Sequence, residues 1–332
     1  MNSKKLQIAI VTGGTSAEVE IALKGADVVI KHLDKDRFET FKINIGEKLW
    51  TVDHDERKLP IDKNDFSFIV DHKRVDFDCA FVIIHGKPAE NGKIQAYFDL
   101  VGLPYTCSGV FASSISYNKE ACKAFLKDMP VKLAKSITVN ANNDLASMNL
   151  NLSFPVFVKP NQEGSSYGIS RVKVKEDISK AVQQALKYDD QVMIEEAIAG
   201  REITCGLMTL NGEVITLPLT EIISAKEFFD YEAKYEGASN EITPAEISSE
   251  LSDECKRISI EIYKKLMCKG IVRIDYILKD EDFYLLEVNS IPGLSEASIV
   301  PQQAKAQGIS LEELFAIQIE ECLSQNYQQT TI

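Results

Sequence analysis

The chain has 332 residues, 45% hydrophobic and 26% charged, with a formal net charge of −13, which allows two or three cored globular domains and excludes disorder as the default. That charge weighs against nucleic acid or an anionic membrane as the main partner and requires any anionic ligand to find cations gathered locally. Apolar runs such as Cys79 to Ile84 are too short to span a bilayer, Met1 to Gln7 has no signal-peptide core, and seven scattered cysteines lack a CxxC pair, so a cytoplasmic chain with reduced thiols is expected.

The opening stretch, LQIAIVTGGTSAEVEIALKGADVVIKHL, predicts an apolar strand, a tight turn at Gly13 and Gly14, and an amphipathic helix. Such units begin open α/β sheets, which bind ligands beyond the carboxyl ends of their strands. The glycine pattern is not a dinucleotide fingerprint, and no GK[ST] follows to make a P-loop. Thr15 to Glu18 fits a capping box, in which Glu18 reaches back to a backbone N–H. Strands are predicted at FKINIG and VDFDCAFVIIHG. The second places His85 at the carboxyl edge of the sheet, where position raises its functional interest. A helix beginning near Gly92 then closes a first domain at about Tyr105.

Asn118 predicts the cap of the helix NKEACKAFLKDM, with Lys119 at its first position. The helix dipole disfavours a cation there, so Lys119 is either solvated or recruited to an anion. The strand FPVFVKP ends at Lys159 and enters a loop rich in glycine and serine, Glu163 to Gly168. That loop is either a simple hairpin turn or a phosphate cover built from backbone N–H groups and the Ser165 and Ser166 hydroxyls. After a helix at EDISKAVQQALKYD, the stretch QVMIEEAIAGREITCGLMTL predicts a strand with unexpectedly acidic positions, Glu195, Glu196 and Glu202. Lys226 to Pro244 loses periodicity and predicts a long functional loop.

The stretch Lys269 to Ser290 predicts a β-hairpin with Asp280 to Asp282 as its loop and Lys279 opposite Phe283. Asp275 then falls opposite Glu287 and Arg273 opposite Asn289, all four on one face. Val272, Ile274, Tyr276, Leu278, Tyr284, Leu286 and Val288 take the core face. Two facing carboxylates repel. Either a hard divalent cation held by Asp275, Glu287 and the Asn289 amide reverses that, or the face is simply solvated with Arg273 as counter-ion. The segments LSDECKRISIEIYKKLMC and SLEELFAIQIEECLSQ predict amphipathic helices around this hairpin.

Lys119, Lys159, EGSSYG, EEAIAGRE, DYEAKY, RIDYIL and LLEVNSIPGLSEASIV, with VTGGTSAEVE, HGKPAENGKIQ and GLPYTCSG before them, resemble in order the motifs of D-alanine–D-alanine ligases of the ATP-grasp superfamily. The resemblance spans essentially the whole chain. It implies an α/β fold, α+β in its C-terminal part, in three domains: residues 1–106 as an open α/β sheet, 107–195 as a central subdomain and 196–332 as the catalytic subdomain. ATP would phosphorylate one D-alanine carboxylate, and the amine of a second would attack the acylphosphate, giving a dipeptide for peptidoglycan and hence for cell shape. By the same resemblance Lys119 and Lys159 hold nucleotide phosphates, Glu195, Glu196, Ala197 and Ile198 read the adenine, Glu202 takes the ribose and Phe228 lines the purine pocket. Asp275, Glu287 and Asn289 hold two Mg²⁺ ions, for which Mn²⁺ can substitute. Arg273 and the Gly293 N–H stabilise the oxyanion, while Glu18 and His85 serve the first D-alanine. Ser298 and Ile299 take the carboxylate of the second, and Ser165 with Tyr235 bridges the lid loops. A homodimer and a cytoplasmic location follow. Tyr235 favours D-alanine over D-lactate as acceptor; a ligase using D-lactate or D-serine and a non-catalytic ATP-binding module are the alternatives. Val19, Ala22, Pro88, Ala89 and Cys107 depart from the residues common among relatives.

Overall fold

The structure, a computed structural model, describes residues 4–16, 18–143, 148, 150–164, 167–224 and 239–329. The first sheet contains β1 (Leu6–Gly13), β2 (Phe38–Ile45), β3 (Trp50–His54), β4 (Arg57–Pro60) and β7 (Cys79–Val82), in the order β4-β3-β2-β1-β7. β1 is parallel to β2 and β7, and helix α1 (Val19–His32) makes the crossover to β2. The small hairpin β5 (Phe68–Val70) and β6 (Lys73–Val75) lies beside it. Alternation along β1 feeds two cores. Ile8 and Ile10 meet Ala26 and Val29 of α1, while Ala9 and Val11 meet Ile94 and Phe98 of α2 (Lys93–Val101). The expected helix near Gly92 is therefore present, with Gly92 as its N-cap.

Helices α3 (Val110–Tyr117) and α4 (Lys119–Phe125) follow, then β8 (Lys132–Leu133). The second sheet is antiparallel, with β9 (Ser136–Asn140), β10 (Val156–Pro160), β11 (Ser170–Val172) and β12 (Gln191–Glu196) in the order β11-β10-β12-β9. Helix α5 (Ile178–Ala185) covers one face by burying Ile178 and Val182 against Val156, Val158 and Ile194. The third sheet is built from β13 (Arg201–Leu210), β14 (Glu213–Thr216), β15 (Thr220–Ser224), β16 (Ser239–Ile242), β17 (Val272–Lys279) and β18 (Asp282–Asn289) together with β8. It runs β16-β15-β13-β17-β18-β8, with β14 added to β13.

Three sequence expectations are corrected here. The acidic strand is two strands, β12 and β13, in different sheets. Gly200 sits at the switch, where a Cβ would stand 2.4 Å from the Leu278 carbonyl oxygen, so the chain passes closer to β17 than any side chain permits. The loop from Lys226 ends early, because Ser239–Ile242 pairs with β15. Of the two helices expected around the hairpin, α6 (Ser249–Lys265) packs Cys255, Ile258 and Ile262 on Ile274 and Tyr276. Helix α8 (Leu311–Gln329) instead lays Leu314, Phe315 and Ile319 on the first sheet, with Phe315 edge-on to Phe81.

The hairpin itself reaches its expected register by a different route. Its turn is the two residues Asp280 and Glu281, Asp280 being left-handed at φ 56, so Lys279 pairs with Asp282 instead of Phe283. A bulge at Leu286 then restores the register, and Asp275 faces Glu287 while Arg273 faces Asn289. An extra residue on one strand reverses the sides beyond it. Phe283 and Leu285 therefore take core positions, and Tyr284 and Leu286 line the opposite face.

Candidate active site

The second and third sheets enclose a cleft of about 650 Å³ whose walls include Lys119, Lys159, Glu195, Ile198, Glu202 and Glu287. Lys159 is the last residue but one of β10, and its Nζ lies 2.6 Å from Glu195 Oε2. Glu195 Oε1 is paired with Lys123, whose Nζ also donates to the Ala134 carbonyl at 2.6 Å and to Ser136 Oγ at 2.7 Å. Burial opposes ionisation of Glu195, but the two lysines more than offset it and hold its carboxyl below the ordinary value. The acidic strand thus has its reason in two buried cations. Beyond it, Glu196 Oε1 accepts the Ser153 N–H at 2.7 Å and the Ala197 N–H donates to the Pro155 carbonyl at 3.0 Å. These bonds fix the strip that leads to Ile198.

Asn118 caps α4 as expected, accepting the Ala121 N–H at 2.9 Å. Lys119 Nζ donates to the Glu163 carbonyl at 2.6 Å, tying the helix start to the glycine-rich loop. Burial lowers the Lys119 pKa, and the Glu287 carboxylate counteracts the shift.

The expected capping box does not form. Helix α1 begins at Val19, with Glu18 at the N-cap position and no side-chain cap; Ser16 Oγ instead accepts the Glu18 N–H at 3.2 Å. Glu18 is 7% exposed, and a Cβ on Gly164 would lie 3.1 Å from its Oε2. Its carboxylate is thereby set between the first sheet and the loop. His85 is buried beside it, with Nδ1 3.1 Å from the Ile291 carbonyl and Nε2 without a hydrogen-bond partner among the described residues. Burial lowers the His85 pKa against the pull of Glu18, which favours a neutral ring donating through Nδ1 and accepting through Nε2.

Asp275 is 4% exposed and accepts four hydrogen bonds: Arg273 Nε at 2.9 Å, Arg273 Nη2 at 2.8 Å, Thr204 Oγ1 at 2.5 Å and Asn289 Nδ2 at 2.9 Å. That number uses the acceptor capacity of one carboxylate. Among the described residues no three His, Cys, Asp or Glu side chains form a group able to hold a metal ion. The donors nevertheless fit a hard divalent cation in kind. Turning the Asn289 amide would present its oxygen and release one Asp275 lone pair, beside Glu287 on the paired strand. Gly293 and Ser298 are brought together, since a Cβ at Gly293 would meet Ser298 Oγ at 2.9 Å. Ser298 is the N-cap of α7 (Ile299–Ala306), so Ile299 opens a helix whose positive end favours a carboxylate. Ser165, Phe228 and Tyr235 lie outside the described residues.

Two residues at the site were missed in sequence. Glu90 accepts the Gly86 N–H at 3.0 Å, and burial with the nearby Glu18 pushes its carboxyl up to about 8. Its signal was a carboxylate shortly beyond the strand-end His85. Lys123 is the other; its signal was the one-turn spacing from Lys119.

Residues 7–108 match the family model for the D-ala D-ala ligase N-terminus and residues 127–320 that for its C-terminus. A D-alanine–D-alanine ligase of Flavobacterium johnsoniae is 43% identical, over 94% of this chain and 98% of its own. Among solved structures, the VanG D-Ala:D-Ser ligase of Enterococcus faecalis has a TM-score of 0.85 at 28% identity, covering 96% of this chain and 99% of that one. The Bacillus anthracis D-alanine–D-alanine ligase complexed with ATP has a TM-score of 0.79 at 29% identity, covering 98% and 99%. Two lysine-bearing walls, a buried carboxylate at the first sheet and a paired-strand acidic face, all carried on a chain matched over 94% of its length, place this protein in the D-alanine–D-alanine ligase family, with its ATP-grasp architecture.

Proposed function

We propose that this chain joins two D-alanines into D-alanyl-D-alanine, with ATP converted to ADP and phosphate through a D-alanyl phosphate. The observation that carries the reading is one cleft lined by Lys119, Lys159 and Glu287, with Glu18 reaching the Gly164 edge of the same loop. Lys119 and Lys159 hold the nucleotide phosphates, the strip Glu195 to Ile198 holds the adenine and Glu202 the ribose, with Phe228 lining the purine pocket. Glu18 anchors the first ammonium, and His85 Nε2 accepts a hydrogen bond from the same substrate. Mg²⁺ or Mn²⁺, held by Glu287, Asn289 and Asp275, would neutralise charge on the transferring phosphoryl group. Arg273, oriented by Asp275, and the Gly293 N–H receive the oxyanion formed when the second amine attacks. Ser298 and Ile299, at the start of α7, receive the second carboxylate, and Ser165 and Tyr235 take, by resemblance to the family, a part in positioning the attacking amine.

The same reading divides the chain at 106 and 195, makes the enzyme cytoplasmic and supplies peptidoglycan synthesis. It also gives a homodimer, to which the exposed Leu100 and Phe111 lend an apolar surface. Among the described residues no helix is long and apolar enough to cross a membrane. The test is phosphate release from ATP and Mg²⁺ with D-alanine, L-alanine, D-serine and D-lactate supplied in turn. D-alanine alone should sustain turnover and yield dipeptide; phosphate release without dipeptide would overturn the reading.

A further inference from the structure

We propose that Lys123 is a positioning residue for the nucleotide site, whose task is to neutralise Glu195 so that this carboxylate can aim Lys159 without cancelling its charge. The inference rests on the nucleotide reading above. Lys159 pairs with Glu195 at 2.6 Å, and both side chains are nearly buried, at 11% and 6% exposure. An isolated pair of that kind is neutral, and a neutral pair offers little to a polyphosphate. Lys123 binds the other oxygen of the same carboxylate, and the group of two lysines and one glutamate then carries a net charge of +1. Bonds to the Ala134 carbonyl and to Ser136 Oγ fill the remaining donors of Lys123. Its ammonium has three, so Lys123 is itself held away from the ligand. Lys159 retains donors of its own and lines the cleft. Lys123 sits one helical turn beyond Lys119, so α4 supplies both a cleft lysine and the lysine behind the other one.

The test is steady-state kinetics and direct ATP binding for K159M, K123M, K123R and the double variant K123M/E195Q. K123M should raise the KM for ATP at least ~10-fold, the equivalent of about 1.4 kcal/mol, while kcat at saturating ATP changes by less than about twofold. K123R keeps the charge and should retain most ATP affinity. K123M/E195Q restores the net charge and leaves no unpaired buried carboxylate, so it should recover ATP affinity lost in K123M even if K123M itself folds poorly. No recovery in the double variant, with E195Q alone measured to keep its ATP affinity, would overturn the proposal, because Lys123 would then act only through Ala134 and Ser136. Normal ATP binding by K123M with loss in K159M would also overturn it and leave the nucleotide reading intact. Normal ATP binding by both would overturn the nucleotide reading itself.

Discussion

Replacing Asp275 by asparagine should destabilise the fold as well as abolish turnover, whereas Glu287→Gln should affect turnover almost alone. Asp275 binds Arg273 through two bonds, and the two side chains are 5% and 17% exposed. Removing one member of a buried pair strands the other and costs about 3–5 kcal/mol. The amide introduced by D275N would keep one acceptor oxygen but turn N–H groups toward the Arg273 and Asn289 donors. We therefore expect a loss of about 3 kcal/mol, and a midpoint roughly 5 °C lower for a protein of this size. Glu287 is half-buried and lines the cleft, where neutralisation should cost about 1 kcal/mol or less. Thermal melts without metal or nucleotide should be followed by circular dichroism, because the single tryptophan, Trp50, reports on the first sheet only. Equal midpoints for wild type and D275N would refute the reasoning. They would mean that the four bonds contribute nothing and that the facing carboxylates are held at a repulsive cost.

Glu90 titrates near 8 instead of 4.5 because burial and Glu18 favour its neutral form. A raised folded-state value makes its contribution complete below about 4.5 and lost as pH rises to about 8; in metal-free buffer, E90Q should flatten that part of the stability profile, and an unchanged slope would count against it. At Gly270, φ is +63 and a Cβ would stand 2.0 Å from the Thr106 carbonyl oxygen. G270A should lose roughly 3 kcal/mol or more in urea unfolding, since backbone must move. G164A would press a methyl to 3.1 Å from Glu18 Oε2; the KM for the first D-alanine should rise severalfold while the melting midpoint stays within about 2 °C, and an unchanged KM would separate Glu18 from that subsite.

Much of the scaffold could be read from the chain because its signals are local. The strand, glycine turn and helix from Leu6 to His32 follow from periodicity, and the cap at Asn118 from one residue type. The hairpin register was also legible, yet two departures cancelled: a turn one residue shorter than expected and a bulge at Leu286. Alternation alone tolerates either loop length, and the apolar pair Leu285 and Leu286 conceals which residue is extra. The Glu18 capping box failed because the spacing from Thr15 marked a helix start, whereas α1 takes Glu18 itself as its N-cap residue. The amphipathic pattern of Leu311–Gln329 announced a buried face but not the partner sheet. Lys123 and Glu195 are separated by 72 positions, and no local pattern encodes such a pairing.

What keeps Lys119 and Lys159 at a fixed spacing is a residue with no charge. Asn161 is fully buried just past Lys159, and its carbonyl accepts the Lys119 N–H at 3.1 Å while its Oδ1 accepts the Glu120 N–H at 2.9 Å. Its Nδ2 donates to both Asn118 Oδ1 and Gln191 Oε1 at 3.0 Å. One amide therefore joins the cap of α4 to the end of β10 and the start of β12. Two of the N–H groups left over at the helix start are satisfied by this link, and the helix dipole that disfavours Lys119 is partly spent on it. An acidic chain can then present two cations to an anion without relying on flexible surface lysines. Their separation is set by backbone and by an amide whose bonds do not titrate, so only the charges themselves, and the carboxylates that pair with them, remain open to tuning.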